Sequence, residues 1–256
     1  MIKIIASDMD GTLLLNGCQQ VSDRAISIIK QLHDKGILFV AASGRQYPNL
    51  YRNFKDVAKY MAFICENGSL VMYQDKVLYK SVMAPEIAKK LCQTIYEREG
   101  CEVLISGQNT SYLLPKTDSY VHRMKNIVKN NVVVVDSFQE IPEDIIKISV
   151  YEKEGISHSA SYFTSLFGDK LKATISGESW LDFVNPLVNK GAALSHLLGY
   201  LSLSPCEAMA FGDNYNDLEM LSLVSYGYVM ENAVPDIKNR YSLKTSLVED
   251  TLESLL

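Results

Sequence analysis

The chain has 256 residues, 47% of them apolar, with 25 Lys and Arg against 30 Asp and Glu and a net charge of -5. That length and apolar content suit one large domain or two modest ones, and mild acidity without a Lys/Arg block speaks against nucleic-acid or anionic-membrane binding. Lys3 and Asp8 interrupt the N-terminus before an apolar signal core forms, no apolar run reaches spanning length, and the five cysteines lack a CxxC pair, so a soluble cytoplasmic protein with reduced thiols is expected.

A buried strand is predicted over residues 2–7, ending at Asp8-Met9-Asp10-Gly11-Thr12-Leu13. Fixed carboxylates this close repel by roughly 4 kcal/mol at the effective dielectric of a protein surface. A cation ligated by both, Mg2+ above all, relieves that cost. Asp8 is also a candidate nucleophile, since carboxylates form covalent phosphoryl intermediates. A solvated turn is the alternative; an EF-hand is not, because Gly11 comes too early and a strand precedes. Asn16-Gly17 then signals a hairpin, hence a small flap beside Asp8 and Asp10.

Residues 22–33 carry Ala25, Ile26, Ile29 and Leu32 at helical spacing, with Ser22 to cap the start and Gly36 for the left-handed end. Strands follow over 37–42 and 61–65, ending at Ser43-Gly44-Arg45 and Glu66-Asn67-Gly68. Unbroken apolar strands between helices predict a parallel sheet covered on both faces. Between residues 82 and 185 the pattern changes: a helix over 86–98 closed by Gly100, strands over 102–106, 111–114 and 145–151, a helix over 156–167, and strands over 171–175 and 180–184. This weak repeat predicts an antiparallel sheet with helices on one face. The α/β pattern then resumes with a helix over 190–200, a strand over 208–211, a helix over 216–223, a strand over 226–230 and a helix over about 248–255. The expected organisation is an α/β domain of residues 1–81 and 186–256, with an α+β domain of residues 82–185 inserted into it.

Ligands of a parallel sheet sit beyond the carboxyl ends of its strands. That rule gathers Asp8-Met9-Asp10, Ser43-Gly44-Arg45, Glu66-Asn67-Gly68 and Gly212-Asp213-Asn214-Tyr215-Asn216-Asp217 on one rim. Ser43-Gly44-Arg45 offers a hydroxyl, close backbone approach and amide donors for a phosphate oxygen, or else an ordinary strand-to-helix cap, with Arg45 pairing a surface carboxylate. Lys190 opens a helix, where its charge opposes the dipole, so an anionic partner competes with plain solvation. Asp213 is a hard oxygen ligand at a strand end, and N-capping explains one of Asn216 and Asp217 but not the whole cluster. Met9 reads as packing, with its amide open to a phosphate. His33, His122, His158 and His196 are scattered without zinc spacing. No nucleophile elbow or Walker loop is present.

These residues resemble the motifs of the haloacid dehalogenase superfamily, in particular its Cof-type phosphatase branch. Asp8 to Leu13 matches the first motif, Ser43-Gly44-Arg45 the second, Lys190-Gly191 the third and Gly212 to Asp217 the fourth. Glu66-Asn67-Gly68 and Asn232-Ala233 are similar to minor signatures of the branch, whereas residues 245–250 lack its usual Asn and Asp-Gly. The resemblance implies a Rossmann-like core with an inserted C2B-type cap. It further implies a Mg2+-dependent phosphatase of small phosphorylated metabolites: Asp8 as nucleophile, Asp10 as acid and base, and Mg2+ on Asp8, the Asp10 carbonyl and Asp213. Lys190, Ser43, Gly44, Arg45, Met9 and Asn216 would then meet the phosphate or substrate, with Asn67 and Asp217 behind them. A phosphosugar mutase uses the same pair of aspartates, and a phosphate-sensing receiver or binding module shares the acidic pocket and lysine. Arg123 and Trp180 are the candidates for substrate contact in the inserted segment, and no residue pattern there names the substrate.

Overall fold

Strands whose residues are apolar on both faces must lie inside a sheet, and the first strand does. In chain order the secondary structure begins with β1 (Ile4–Ser7), α1 (Asp23–Asp34), β2 (Leu38–Ala42), α2 (Tyr47–Asn53), β3 (Met61–Cys65), β4 (Leu70–Tyr73) and β5 (Lys76–Lys80). It continues with α3 (Pro85–Glu97), β6 (Cys101–Ser106), β7 (Ser111–Leu113), α4 (Asp118–His122), β8 (Val132–Val134), β9 (Lys147–Glu152), α5 (Ser157–Phe167), β10 (Lys172–Ile175) and β11 (Trp180–Val184). It closes with α6 (Lys190–Tyr200), β12 (Ala208–Gly212), α7 (Leu218–Leu223), β13 (Tyr226–Met230), α8 (Pro235–Lys238), β14 (Lys244–Thr245) and α9 (Val248–Glu253). The computed structural model describes all 256 residues, which group into two units. One is Met1–Arg45, Leu50–Tyr79 and Asn189–Leu256; the other is Gln46–Asn49 and Lys80–Val188.

The first unit is an α/β layer structure. Its eight strands run in the order β14-β13-β12-β1-β2-β3-β4-β5, parallel from β14 through β3. Ile4, Ala6, Val40, Ala42 and Ile64 turn to one face, against Ala193, Leu194 and Leu197 of α6 and Met220 and Leu221 of α7. Helix α1 forms as its spacing predicts, capped by the Ser22 side chain, although Ile28 takes the buried place expected for Ile26. Two expectations are corrected. β4 runs antiparallel to β3, and the turn between β4 and β5 is made by Gln74 and Asp75, both with positive φ (51° and 59°), the geometry of a tight hairpin turn without its usual glycine. Asn16 and Gly17 also have positive φ (55° and 74°), but no ladder flanks them; a single bridge joins Asp10 and Leu14. Leu13 and Leu14 are buried in the core, so this segment gives its apolar side chains to packing rather than to a projecting flap.

The second unit is α+β, with a six-stranded sheet in the order β10-β11-β9-β6-β7-β8. Val103, Ile105, Ile148, Val150 and Phe183 on one face meet Leu91, Cys92 and Ile95 of α3 and Phe163 and Phe167 of α5. Lys116 Nζ donates to the carbonyls of Arg98 and Cys101, both at 2.6 Å, and so closes the C-terminal end of α3. The expected one-sided antiparallel sheet needs two amendments. β8 pairs with β7 in parallel. Helix α4, continued by a π-helical turn over Arg123–Ile127, brings Tyr120 and Met124 to the other face, against Leu104, Leu113 and Tyr151. The Asn-rich run that follows α4 hides this helix from apolar periodicity, because only Tyr120 and Met124 mark its buried side.

Candidate active site

Chain geometry puts Asp8 at the end of the central strand. Its amide donates to the Phe211 carbonyl at 3.0 Å, extending the β1–β12 register by one residue. Beyond it the chain turns tightly: the Met9 carbonyl accepts from the amides of Thr12 (3.2 Å) and Leu14 (2.7 Å). Gly11 sits at φ 87°, and a Cβ there would collide with the Asp213 carboxylate. A left-handed backbone against a close neighbour is a position only glycine fills without strain. Met9 is fully buried, so its side chain is packing, as the sequence suggests.

Asp8, Asp213 and Asp217 offer carboxylate oxygens within 4.8 Å of one another. Between them lies Lys190, with no solvent exposure, whose Nζ donates to Asp8 Oδ1 and, at 2.6 Å, to Asp217 Oδ1. The other Asp217 oxygen accepts from the amides of Asp213 and Asn214, both at 3.0 Å. Asp217 is therefore fully engaged, and the expected helix over 216–223 starts instead as a 3-10 turn, Tyr215–Asp217, before α7. Asp213 Oδ1 accepts from Thr12 Oγ1 at 2.9 Å.

One ammonium cannot balance three carboxylates. Burial, then the charge of Asp217, pushes the Asp8 pKa up to about 8 against the pull of Lys190. Burial and Asp217 likewise raise Asp213. Burial acts to lower Lys190, but Asp217 and Asp8 together hold it above its ordinary range. The site thus retains an excess of negative charge that a divalent cation would neutralise.

The remaining predicted residues form two further groups. Arg45 holds Asp10 with both carboxylate oxygens engaged, Nη2 to Oδ1 at 2.5 Å and Nε to Oδ2 at 2.9 Å. Of the two readings of Arg45, this geometry realises the carboxylate pair. Ser43 is buried, and its Oγ accepts from the Arg45 amide at 3.2 Å. Gly44 lies against the Asn67 side chain, and Asn67 Oδ1 accepts from Asn216 Nδ2 at 3.2 Å. Glu66, Asn67 and Gly68 are successive left-handed residues, with φ of 51°, 56° and 105°. They bring the Glu66 amide to the Arg45 carbonyl (3.1 Å) and the Asn67 amide to the Ser43 carbonyl (3.0 Å).

Two functional contacts lie outside the predicted set. Thr12 braces Asp213, and Asn232 Nδ2 donates to the Gly11 carbonyl at 2.8 Å, steadying the loop from the end of β13. The sequence signal for Asn232 was the likeness of Asn232-Ala233 to a minor signature of the branch, which named the residue without giving it a role.

Comparison with known proteins follows the same line. A family model described as haloacid dehalogenase-like hydrolase matches residues 5–251. The 5-amino-6-(5-phospho-D-ribitylamino)uracil phosphatase YbjI of Escherichia coli is 29% identical, over 91% of this chain and 86% of its own. An HMP-PP phosphatase of Enterobacter is 27% identical, over 93% of this chain and 87% of its own. A solved structure from Eubacterium rectale is similar at TM-score 0.91 and 27% identity, covering 100% of this chain and 99% of that one.

Proposed function

Because the chain belongs to the haloacid dehalogenase-like hydrolase family, we propose that it is a Mg2+-dependent phosphatase of small phosphorylated metabolites, working through an aspartyl-phosphate on Asp8. The observation that carries this reading is the convergence of Asp8, Asp213 and Asp217 on the single buried Lys190 at the end of β1. The relatives named above are phosphatases of small phosphorylated compounds, which supports the substrate class.

The donor set fits a hard divalent cation. Asp8 and Asp213 would hold it with the Asp10 main-chain carbonyl, to which no main-chain donor is directed. Asp217 is left out because Lys190 and two amides already take its oxygens. When bound, such a cation offsets the repulsion between the Asp8 carboxylate and a phosphate dianion.

The chain's own residues account for the rest. Asp8 attacks phosphorus, and the bond to the leaving oxygen breaks as Asp10 delivers a proton to it. Asp10 then takes a proton from the water that attacks the aspartyl-phosphate, so inorganic phosphate leaves and the Asp8 carboxylate returns. Arg45 fixes the orientation of the Asp10 carboxylate. Lys190 stabilises charge on the nucleophile and the transferring group, and Ser43, Gly44 and Asn216 supply donors to the phosphoryl oxygens. We assign the second unit as the cap domain that the family resemblance implies. All five cysteines are free thiols and no helix is long and apolar enough to cross a membrane, which supports a cytoplasmic assignment.

Phosphate release from an aryl phosphate with Mg2+ tests the reading. Asp8→Asn is expected to abolish turnover, and acid quenching of the wild type with labelled ester should trap label on the protein. Wild-type rates in Asp8→Asn would refute the nucleophile assignment.

A further inference from the structure

The two sheets have four edges, and an open edge strand is a template for a further strand unless something blunts it. Three of the four carry lysine in the strand itself: Lys244 on β14, Lys76 and Lys80 on β5, and Lys172 on β10. Such a lysine opposes pairing, because an added strand would have to desolvate its charge. β8, the fourth edge, has none. It runs Val132-Val133-Val134 and continues into Val135, four β-branched residues of the kind that suit strands.

Hydrogen bonding leaves that edge open. The Ser111 amide donates to the Asn131 carbonyl at 2.7 Å, and the Val135 amide to the Leu113 carbonyl at 2.9 Å. In a parallel pair, alternate residues turn their main-chain groups to the neighbouring strand. Asn131, Val133 and Val135 therefore face β7, and the N–H and C=O groups of Val132 and Val134 point away from the sheet. The side chains divide in a different way. Val132 packs with Tyr120 and Met124 on one face, and Val135 joins the core of α3 and α5 on the other. Between these anchors Val133 and Val134 stay 44% and 43% exposed, one on each face. Packing within the unit accounts for Val132 and Val135 but not for two bare valines between them.

The flanks of the strand select its partner. Exposed Lys125 and Lys129 precede β8, and exposed Asp136 and Glu140 follow it. Set antiparallel to a second copy, each basic end meets an acidic end; set parallel, like charges meet. A strand flanked in this way is complementary to itself under a two-fold axis. A two-fold contact also closes at two chains, because it uses the same edge on both. The outward main-chain groups then fix the register. Val132 pairs with Val134 of the second copy and Val134 with its Val132, which gives four N–H···O bonds and sets Val133 against its own copy on the axis.

We propose that β8 is a homodimer interface, at which two copies of this chain join antiparallel and their six-stranded sheets become one. The interface lies wholly within the second unit and is independent of the phosphatase reading.

Sedimentation of the full-length protein across a range of micromolar concentrations should show a passage from one chain to two. Val133→Lys sets like charges against each other on the axis and should weaken association by about 10-fold or more. Val134→Pro, tolerated on an edge strand whose N–H points outward, deletes two of the four bonds and should weaken it by about 10-fold as well. Cysteine cross-linking reads the register, in a Cys18→Ser, Cys206→Ser background that lacks the exposed thiols. With oxidised glutathione, Val133→Cys should link two chains by a disulfide, since opposed residues of a non-hydrogen-bonded pair stand about 4.5 Å apart at Cα. Val134→Cys, about 7–8 Å from its own copy, should not. This arm keeps the test decisive if Val134→Pro does not fold. A single chain at every concentration overturns the proposal. So does a dimer that Val133→Lys leaves intact, or cross-linking at residue 134 in place of 133.

Discussion

Two buried lysines set the two units apart. Lys190 stands among three carboxylates, so its neighbourhood keeps surplus negative charge and calls for a cation. Lys147 stands 3.5 Å from Asp182, whose other oxygen accepts from Ser149, so here an ammonium faces a carboxylate within one ion pair. Burial alone is thus a poor guide to what a charged cluster does; its charge balance decides. An unbalanced cluster depends on what binds it for its own stability, whereas a balanced one does not.

Four outcomes would break or sharpen that contrast. The largest concerns Lys190→Met, which removes the ammonium that Asp8 and Asp217 share. Phosphate release should fall by about 1,000-fold, and the metal-free protein should lose about 3 kcal/mol or more in urea titration, part of it returned by a divalent cation. Next comes the balanced pair. Lys147→Met alone should cost about 3 kcal/mol by taking the ammonium away from buried Asp182, whereas adding Asp182→Leu should bring the loss back to within about 1 kcal/mol. Were the double variant as unstable as the single one, charge balance would not be the relevant distinction.

The third outcome is a pH dependence confined to the unbalanced group. Asp8 keeps its proton in the folded chain up to about pH 8, whereas in the unfolded chain it loses it near the ordinary carboxylate value. The folded state then binds the extra proton, so its contribution to stability is full at low pH and is lost as pH rises through 8. Between about pH 6 and 8.5 the chelated protein should lose roughly 2 kcal/mol, and excess Mg2+ should flatten the slope. A slope unchanged by the metal would argue that the raised Asp8 is unrelated to cation binding. The smallest effect is Thr12→Val, which frees Asp213 from its brace. It should cost about 1 kcal/mol and raise the Mg2+ concentration for half-maximal activity by about 10-fold.

The sequence was most legible where a physical signal was local and unopposed. The strands at 61–65, 180–184 and 226–230 form with those bounds because each is a short β-prone run between turn residues. Turn chemistry was less legible. Asn16-Gly17 adopts the expected dihedrals but has no strands to join, while the true hairpin turn uses Gln74 and Asp75, which carry no glycine. Helix α4 and strand β8 escaped because their apolar faces are only one or two residues deep. For the site, the strand ends named which residues to consider. They did not reveal that Arg45 would take both oxygens of Asp10, or that burial would outweigh Lys190 at Asp8. Those outcomes depend on which charges fold into reach of one another, and spacing along the chain does not encode that.

Glu66 and Asn67 hold left-handed backbone angles beside Gly68, and a non-glycine residue in that region costs about 1 kcal/mol or more. Directed evolution for heat resistance alone would therefore find glycine at residue 66 an easy gain. The same change would slacken the turn that sets Asn67 against Asn216 and Gly44. A thermostable variant obtained this way would be expected to keep its fold and lose turnover, so a selection scheme for this enzyme has to score both at once.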